Sequence, residues 1–171
     1  MTESPSTLKV LAPFLEDGFK GFRSDDVAAV VRELADREEI RELTARYAFL
    51  VAHRRPAAEL FTDDGGFVFR KPDGEIGMAR GRAALDAVFD DILRAPNHNL
   101  PTVHNHLLDI QGDNATGVCW IELHARKADD DGTINDWRGS GYYEDVFRRE
   151  NGRWKFEMRD STLVKWERLS R

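Results

Sequence analysis

Hydrophobic positions change their period once along this chain. From Asp36 to Val51 they recur at three- and four-residue steps, with Ile40, Leu43, Tyr47, Leu50 and Val51 on one stripe. That is the signature of an amphipathic helix. Tyr47 faces the interior on this stripe, and His53 falls at its edge in the last turn. Asp36 with Glu39 three residues on has capping-box spacing and predicts a helix start there. An earlier helix, capped by Ser24, runs through Val27, Val30, Val31 and Leu34. Pro56 is placed to open a short helix from Ala57 to Phe61. Ala84, Leu85, Val88, Phe89 and Ile92 mark another within Gly81 to Leu93, ended by Ala95-Pro96.

From Val103 onward the pattern is that of strands. Val103 to Gln111, Ala115 to Arg126, Trp137 to Arg149 and Arg153 to Trp166 alternate or run apolar. Gly112-Asp113, Asp129 to Gly132 and Asn151-Gly152 separate them, which predicts a four-stranded antiparallel meander. Phe67 to Phe69 form an earlier strand leading into a hairpin at Pro72-Asp73-Gly74. Helices first and strands after is the α+β order, with the sheet covering one face with the early helices. Residues 1–23 carry apolar positions (Leu8, Val10, Leu11, Phe14, Leu15, Phe19, Phe22) broken by Pro13, Gly18 and Gly21, without a sustained period. They read as an extended arm that docks on the domain or on a neighbouring subunit, leaving 24–171 as one domain.

Composition narrows the function classes. The chain has 171 residues, 41% of them hydrophobic and 33% charged, which places it among ordinary globular domains able to bury a core without staples. Its formal charge of −6 is spread with acids and bases interleaved, which argues against nucleic-acid binding. Cys119 is the single cysteine, so no internal disulfide is possible, and its apolar surroundings suit a small core residue. No segment has the ~20 apolar residues of a membrane span, and Met1 to Thr7 lack the features of a signal peptide, so a cytoplasmic location is expected.

The order of Asp36-Arg-Glu-Glu-Ile-Arg-Glu-Leu…Tyr47, Leu60-Phe61-Thr-Asp-Asp64, Gly81-Arg-Ala-Ala-Leu85, His104 to Ala115, Gly141-Tyr-Tyr-Glu-Asp145 and Asn151-Gly-Arg-Trp-Lys-Phe…Arg159 resembles the SnoaL-like superfamily. This nuclear-transport-factor-2-like group includes scytalone dehydratase, ketosteroid isomerase, bile-acid dehydratase and hexachlorocyclohexane dehydrochlorinase. The likeness spans about residues 36–160. It implies a cone-shaped, strongly curved antiparallel or mixed sheet wrapped around the N-terminal helices, a cystatin-like α+β barrel with a pocket inside. It also implies no cofactor, no metal, and a homo-oligomer, dimer or trimer. The reaction stays open, because this fold carries lyases, isomerases, cyclases, hydrolases and binding modules.

Dehydratases and dehydrohalogenases of this type pair a histidine with an acid five to eight residues after the helix tyrosine. Here Ala52 or His53 occupies that place, so either His53 replaces the acid or the dyad is absent. Strand alternation puts His104 and His106 on one face with Leu108 and Ile110, which should be an inner face. An imidazole near its usual pKa of roughly 6.5 can take a proton next to a carbonyl, so His106 is the candidate base and His104 a binding residue. The alternative is that both are satisfied histidines at a strand start or subunit contact. A shared metal would need His53, His98, His124 or Glu122 as a third ligand, and none closes a set.

Tyr47 is a candidate hydrogen-bond donor to a developing oxyanion, or else a core tyrosine. Arg159 matches an arginine that in some relatives steadies an anionic intermediate, against the alternative of a solvated or ion-paired side chain. Trp120, Glu122 and His124 share one face of their strand, opposite Cys119, Ile121 and Leu123. If the former face lines the pocket, Trp120 and Glu122 are ligand-binding residues and Glu122 a desolvated carboxylate and second candidate base; if the latter does, Trp120 packs at a subunit interface. Tyr143, with Tyr142 and Trp137, adds aromatic surface for a flat ligand. The expected activity is a cofactor-independent lyase or isomerase, dehydratase-like, acting on a small hydrophobic cyclic or aromatic molecule. The alternatives are a non-catalytic ligand-binding or oligomerisation module, and a polyketide cyclase or epoxide-hydrolase-like enzyme.

Overall fold

The computed structural model describes residues 10–16, 22, 24–129 and 131–169. The arm positions Leu8, Gly18, Phe19 and Gly21 lie outside these. In chain order the elements are α1 (Leu11–Glu16), α2 (Val27–Ala52), a 3-10 turn (Ala58–Leu60), β1 (Phe61–Arg70), β2 (Ile76–Arg80), α3 (Arg82–Leu93), β3 (His98–Gln111), β4 (Asn114–Ala128), β5 (Ile134–Glu150) and β6 (Arg153–Arg168). The strands form one sheet in the order β2-β1-β6-β5-β4-β3. All neighbours are antiparallel except β1 and β6, which run parallel. The fold is thus α+β with a mixed sheet. It stays open, with β2 and β3 as its edges.

The two helices expected on either side of residue 35 are one. Asp26, not Ser24, caps α2, its carboxylate accepting from the Ala29 amide at 3.0 Å. Ser24 instead accepts from the Asp26 amide. The acids read as a capping box sit mid-helix and reach into the sheet. Asp36 accepts from Arg149 at 2.7 Å and from the Trp154 indole at 3.2 Å, while Glu39 accepts from Arg153 and from the Trp154 backbone. The i, i+3 spacing of two acids is shared by capping boxes and by a helix face that meets cations, and here the β5–β6 turn supplies those cations. The helix expected from Ala57 to Phe61 is a single 3-10 turn, and Phe61 already belongs to β1. Within the arm, residues 11–16 are helical, and the Val10 and Leu11 amides both donate to Glu144 on β5.

Ile40, Leu43, Tyr47 and Val51 of α2, Leu85 and Phe89 of α3, and the inward residues of all strands but β2's exposed positions share one core. Strict alternation would not produce that inner face, because the register shifts on β3, twice on β6, and on β1 between Phe61 and Gly66. On β3 the register shifts between His104 and Leu107, with Asn105 at φ 50°. On β6 it shifts opposite Val146/Phe147 and again opposite Ser140/Gly141. These shifts let Phe156, Arg159, Ser161, Leu163 and Trp166 all point inward despite their uneven spacing. Gly139 makes room for the last of them, since a Cβ there would lie 2.7 Å from the Trp166 ring.

The tie between helix and turn is directly testable. Asp36→Ala raises intrinsic helix propensity yet strips partners from Arg149 and the Trp154 indole. Equilibrium urea unfolding should show a net loss of about 1–3 kcal/mol; unchanged or raised stability would refute the assigned role.

Candidate active site

The floor of the cone is a buried ion pair. Arg159 on β6 and Asp145 on β5 are cross-strand neighbours, both with no exposed surface. The guanidinium donates twice to the carboxylate, Nε to Oδ1 and Nη2 to Oδ2, each at 2.8 Å. Three aromatic rings surround its carbon: Phe156 at 4.0 Å, Tyr143 at 4.1 Å and Tyr47 at 4.4 Å to their centroids. Their faces supply electron density to a cation that has no water. Burial alone would lower the affinity of Arg159 for its proton, but the charge and hydrogen bonds of Asp145 more than reverse this. Burial likewise drives the Asp145 carboxyl upward against the pull of Arg159. Nη1 of Arg159 has no hydrogen-bond partner among the described residues.

Tyr47 and Tyr143 pack edge to face at 6.1 Å. Burial pushes the Tyr47 hydroxyl up to about 12 and that of Tyr143 well above its ordinary value. Both therefore stay protonated near neutral pH, able to donate a hydrogen bond to developing negative charge but not to serve as a base. The two tyrosines line one end of a cavity of about 100 Å³. Its walls are Val51 from α2, Phe67 and Phe69 from β1, Ile92 from α3, Pro101 from β3, Leu123 from β4 and Leu163 and Trp166 from β6. Asn99, Ser161, Lys71 and Lys127 complete it.

His106 is drawn inward by the β3 bulge, not by the alternation that would have kept His104 beside it, and its chemistry differs from the expectation. Burial, with lesser contributions from the charges of Arg159 and Arg41, pushes it down to about 3. It is neutral at physiological pH and a weak base. Its Nε2 is buried without a partner. Gly117 on β4 holds the space it occupies, since a Cβ there would meet Nε2 at 3.0 Å. His106, Cys119 and Asp145 offer ligand atoms within 4.8 Å of one another. This trio fits a metal ion poorly: Asp145 is already taken by Arg159, whose charge would repel the cation, and burial pushes the Cys119 thiol up to about 12.

Other expected site residues lie elsewhere. His104 precedes the bulge and is exposed, opposite Trp120. Trp120 itself is 42% exposed, so the outer face of β4 is the Trp120, Glu122, His124 face, and Cys119, Ile121 and Leu123 are the inner one. Glu122 is half-exposed and 3.6 Å from Arg138, not a desolvated base. His53 is the exposed C-cap of α2, its Nδ1 2.8 Å from the Phe49 carbonyl oxygen, and does not replace the missing helix acid. A buried acid that sequence reasoning did not single out is Asp145 on β5, locked to Arg159. The signal for it was the inward alternation of Tyr143, Asp145 and Phe147 opposite Arg159.

The SnoaL-like domain family matches residues 32–160, and the chain belongs to this family. Among solved structures it is similar to a nuclear-transport-factor-2-like protein with a cystatin-like fold from Novosphingobium aromaticivorans (28% identity, TM-score 0.57, covering 82% of this chain and 92% of that one). It is also similar to a candidate scytalone dehydratase from the same organism (19%, 0.69, 81% and 91%). A type 2 hexachlorocyclohexane dehydrochlorinase matches at 18% identity with a TM-score of 0.69, covering 82% and 93%. The last two likenesses are likenesses of fold. No curated protein matches the sequence. Among the described residues no helix is long and apolar enough to cross a membrane.

Two measurements check the floor of the cone. Asp145→Leu alone leaves Arg159 buried and uncompensated and should cost about 3–5 kcal/mol, while Asp145→Leu with Arg159→Met should recover most of it. Urea unfolding of the two single variants and the double closes the cycle; additive losses would show that the pair is not coupled. His106 has its ordinary value of 6.5 when unfolded and about 3 when folded, so the unfolded chain takes up a proton that the folded one refuses. Stability is therefore full above 6.5 and falls as pH drops through that window. His106→Leu should lose less stability than wild type between about pH 7 and about pH 5.5, and equal losses would place the imidazole in water.

Proposed function

We propose that the chain is a cofactor-independent lyase or isomerase that holds a small hydrophobic cyclic molecule in the cone and stabilises negative charge developing on one of its oxygens. The observation that carries this reading is the stack of Tyr47 and Tyr143 on Arg159 at one end of a largely apolar cavity. Two hydroxyls kept protonated by burial, with a cation against their rings, form a preorganised donor pair for an enolate or phenolate oxygen. The names of two structural neighbours, a dehydratase and a dehydrochlorinase, point to eliminations on this fold.

Proton removal on this reading falls to a weak base, a water held in the cavity, because no carboxylate or histidine is among the residues lining the cavity. Weak bases suffice only where the carbon acid is already activated. Substrates are accordingly ring compounds whose reacting C–H adjoins a carbonyl or a phenol-activated position. The same observation supports a second reading, a pocket that binds such a ring without turning it over.

Solvent exchange separates the two. In deuterium oxide, cyclohexanone, a one-ring ketone with activated hydrogens, should exchange at the carbon next to its carbonyl faster with protein than without, as read by proton NMR. Tyr143→Phe should lower the catalysed rate by about 10²-fold with little change in affinity. Binding without accelerated exchange, by this ketone and by a panel of hydroxylated rings, would select the binding module instead.

A further inference from the structure

One end of the cavity is tyrosine, and its walls also carry two lysines. Lys71 follows β1 and continues the inward set Phe67 and Phe69; Lys127 on β4 continues the inward set Ile121, Leu123 and Ala125. β6 and β5 separate β1 from β4 in the sheet. Only its curl brings the two side chains to the same cavity. Lys71 is ion-paired to Glu75. Lys127 has no carboxylate partner among the described residues, and its ammonium lies 6.0 Å from the centroid of the Trp166 ring. Burial, then the charge of Lys71, holds its proton affinity below the ordinary lysine range. Asn99 on the same wall has a buried side-chain oxygen without a partner.

A half-buried ammonium beside a second cation, facing an apolar cavity, is destabilised by both desolvation and like charge. Glu75 and Asp91 offset part of this from a distance, and a carboxylate placed beside Lys127 would offset more. We propose that this wall is an anion subsite, and that the ring-bearing ligand of the cavity carries a carboxylate bound by Lys127 with support from Lys71. The amide of Asn99 can turn its nitrogen toward the same group. The subsite rests on the reading of the cavity as a ring pocket. It narrows the ligand class to aromatic or alicyclic acids of about one ring. A cavity near 100 Å³ is on the scale of those that admit benzene, and a short side arm would reach the lysines.

Cinnamate and cinnamamide test this, since they share shape and differ in charge. Isothermal titration calorimetry should find cinnamate tighter by about tenfold. Lys127→Met should erase the difference between cinnamate and cinnamamide, Lys71→Met should reduce it, and higher salt should weaken cinnamate alone. Lys127→Gln repeats the test should the methionine variant fold poorly. Equal affinities for the two compounds, or a preference that survives loss of the Lys127 charge, would overturn the subsite while leaving the ring pocket standing. Binding of neither compound would remove both.

Discussion

A guanidinium with no surface in water must find its compensation inside the protein. Arg159 finds it in the Asp145 carboxylate and in the faces of three rings. Replacing such a pair with apolar side chains commonly leaves a protein as stable or more so, which makes stability a weak reason for its presence. Its effect on neighbours is clearer. The pair lies where α2, β5 and β6 converge, and its charges enter the proton affinities of Tyr47, Tyr143, Cys119 and His106. The chemistry available to the cone follows from that one contact: hydroxyls that donate, a thiol that stays protonated and an imidazole that stays neutral.

Much of this architecture was legible in the residue pattern, and the limits have identifiable physical causes. The apolar stripe around Tyr47 and the strands between Gly-containing turns gave the helix-then-meander order, because periodicity reports burial directly. Side-chain direction was legible only where strands are regular. His104 and His106 have the same parity yet opposite fates, since the bulge at Asn105 inserts a residue between them. Asp36 and Glu39 look like a cap because local spacing carries no record of Arg149 and Arg153, more than a hundred residues away along the chain.

The site was half legible for the same reason. Tyr47, Tyr143, Arg159 and His106 were picked out on residue type and position, and all four are inward. Asp145 was missed because the expected acid belongs to the first helix, and this chain carries one on a strand. Counting back from the Asn151-Gly152 turn pairs Asp145 with Met158 until the bulge at Phe147 shifts the register by one, to Arg159. Membership of the SnoaL-like family agrees with the fold and does not depend on the helix acid. A strand acid locked to an arginine can shape the field of the pocket, but it is not free to take a proton.

The parallel pairing of β1 with β6 has a kinetic side. β6 is the last strand in chain order and the one that joins the β1–β2 hairpin to the meander within the described sheet. Arg70 and Asp160, joined by a bidentate ion pair across that seam, are 90 residues apart in the sequence. Hairpins β3–β4, β4–β5 and β5–β6 can form from local contacts, but the seam closes a long loop and bears that entropy in one step. The core beneath α2 is incomplete until it forms. The folding barrier of this domain should therefore lie in docking two preassembled halves along β6, with the meander's edge exposed to wrong partners for as long as that search lasts.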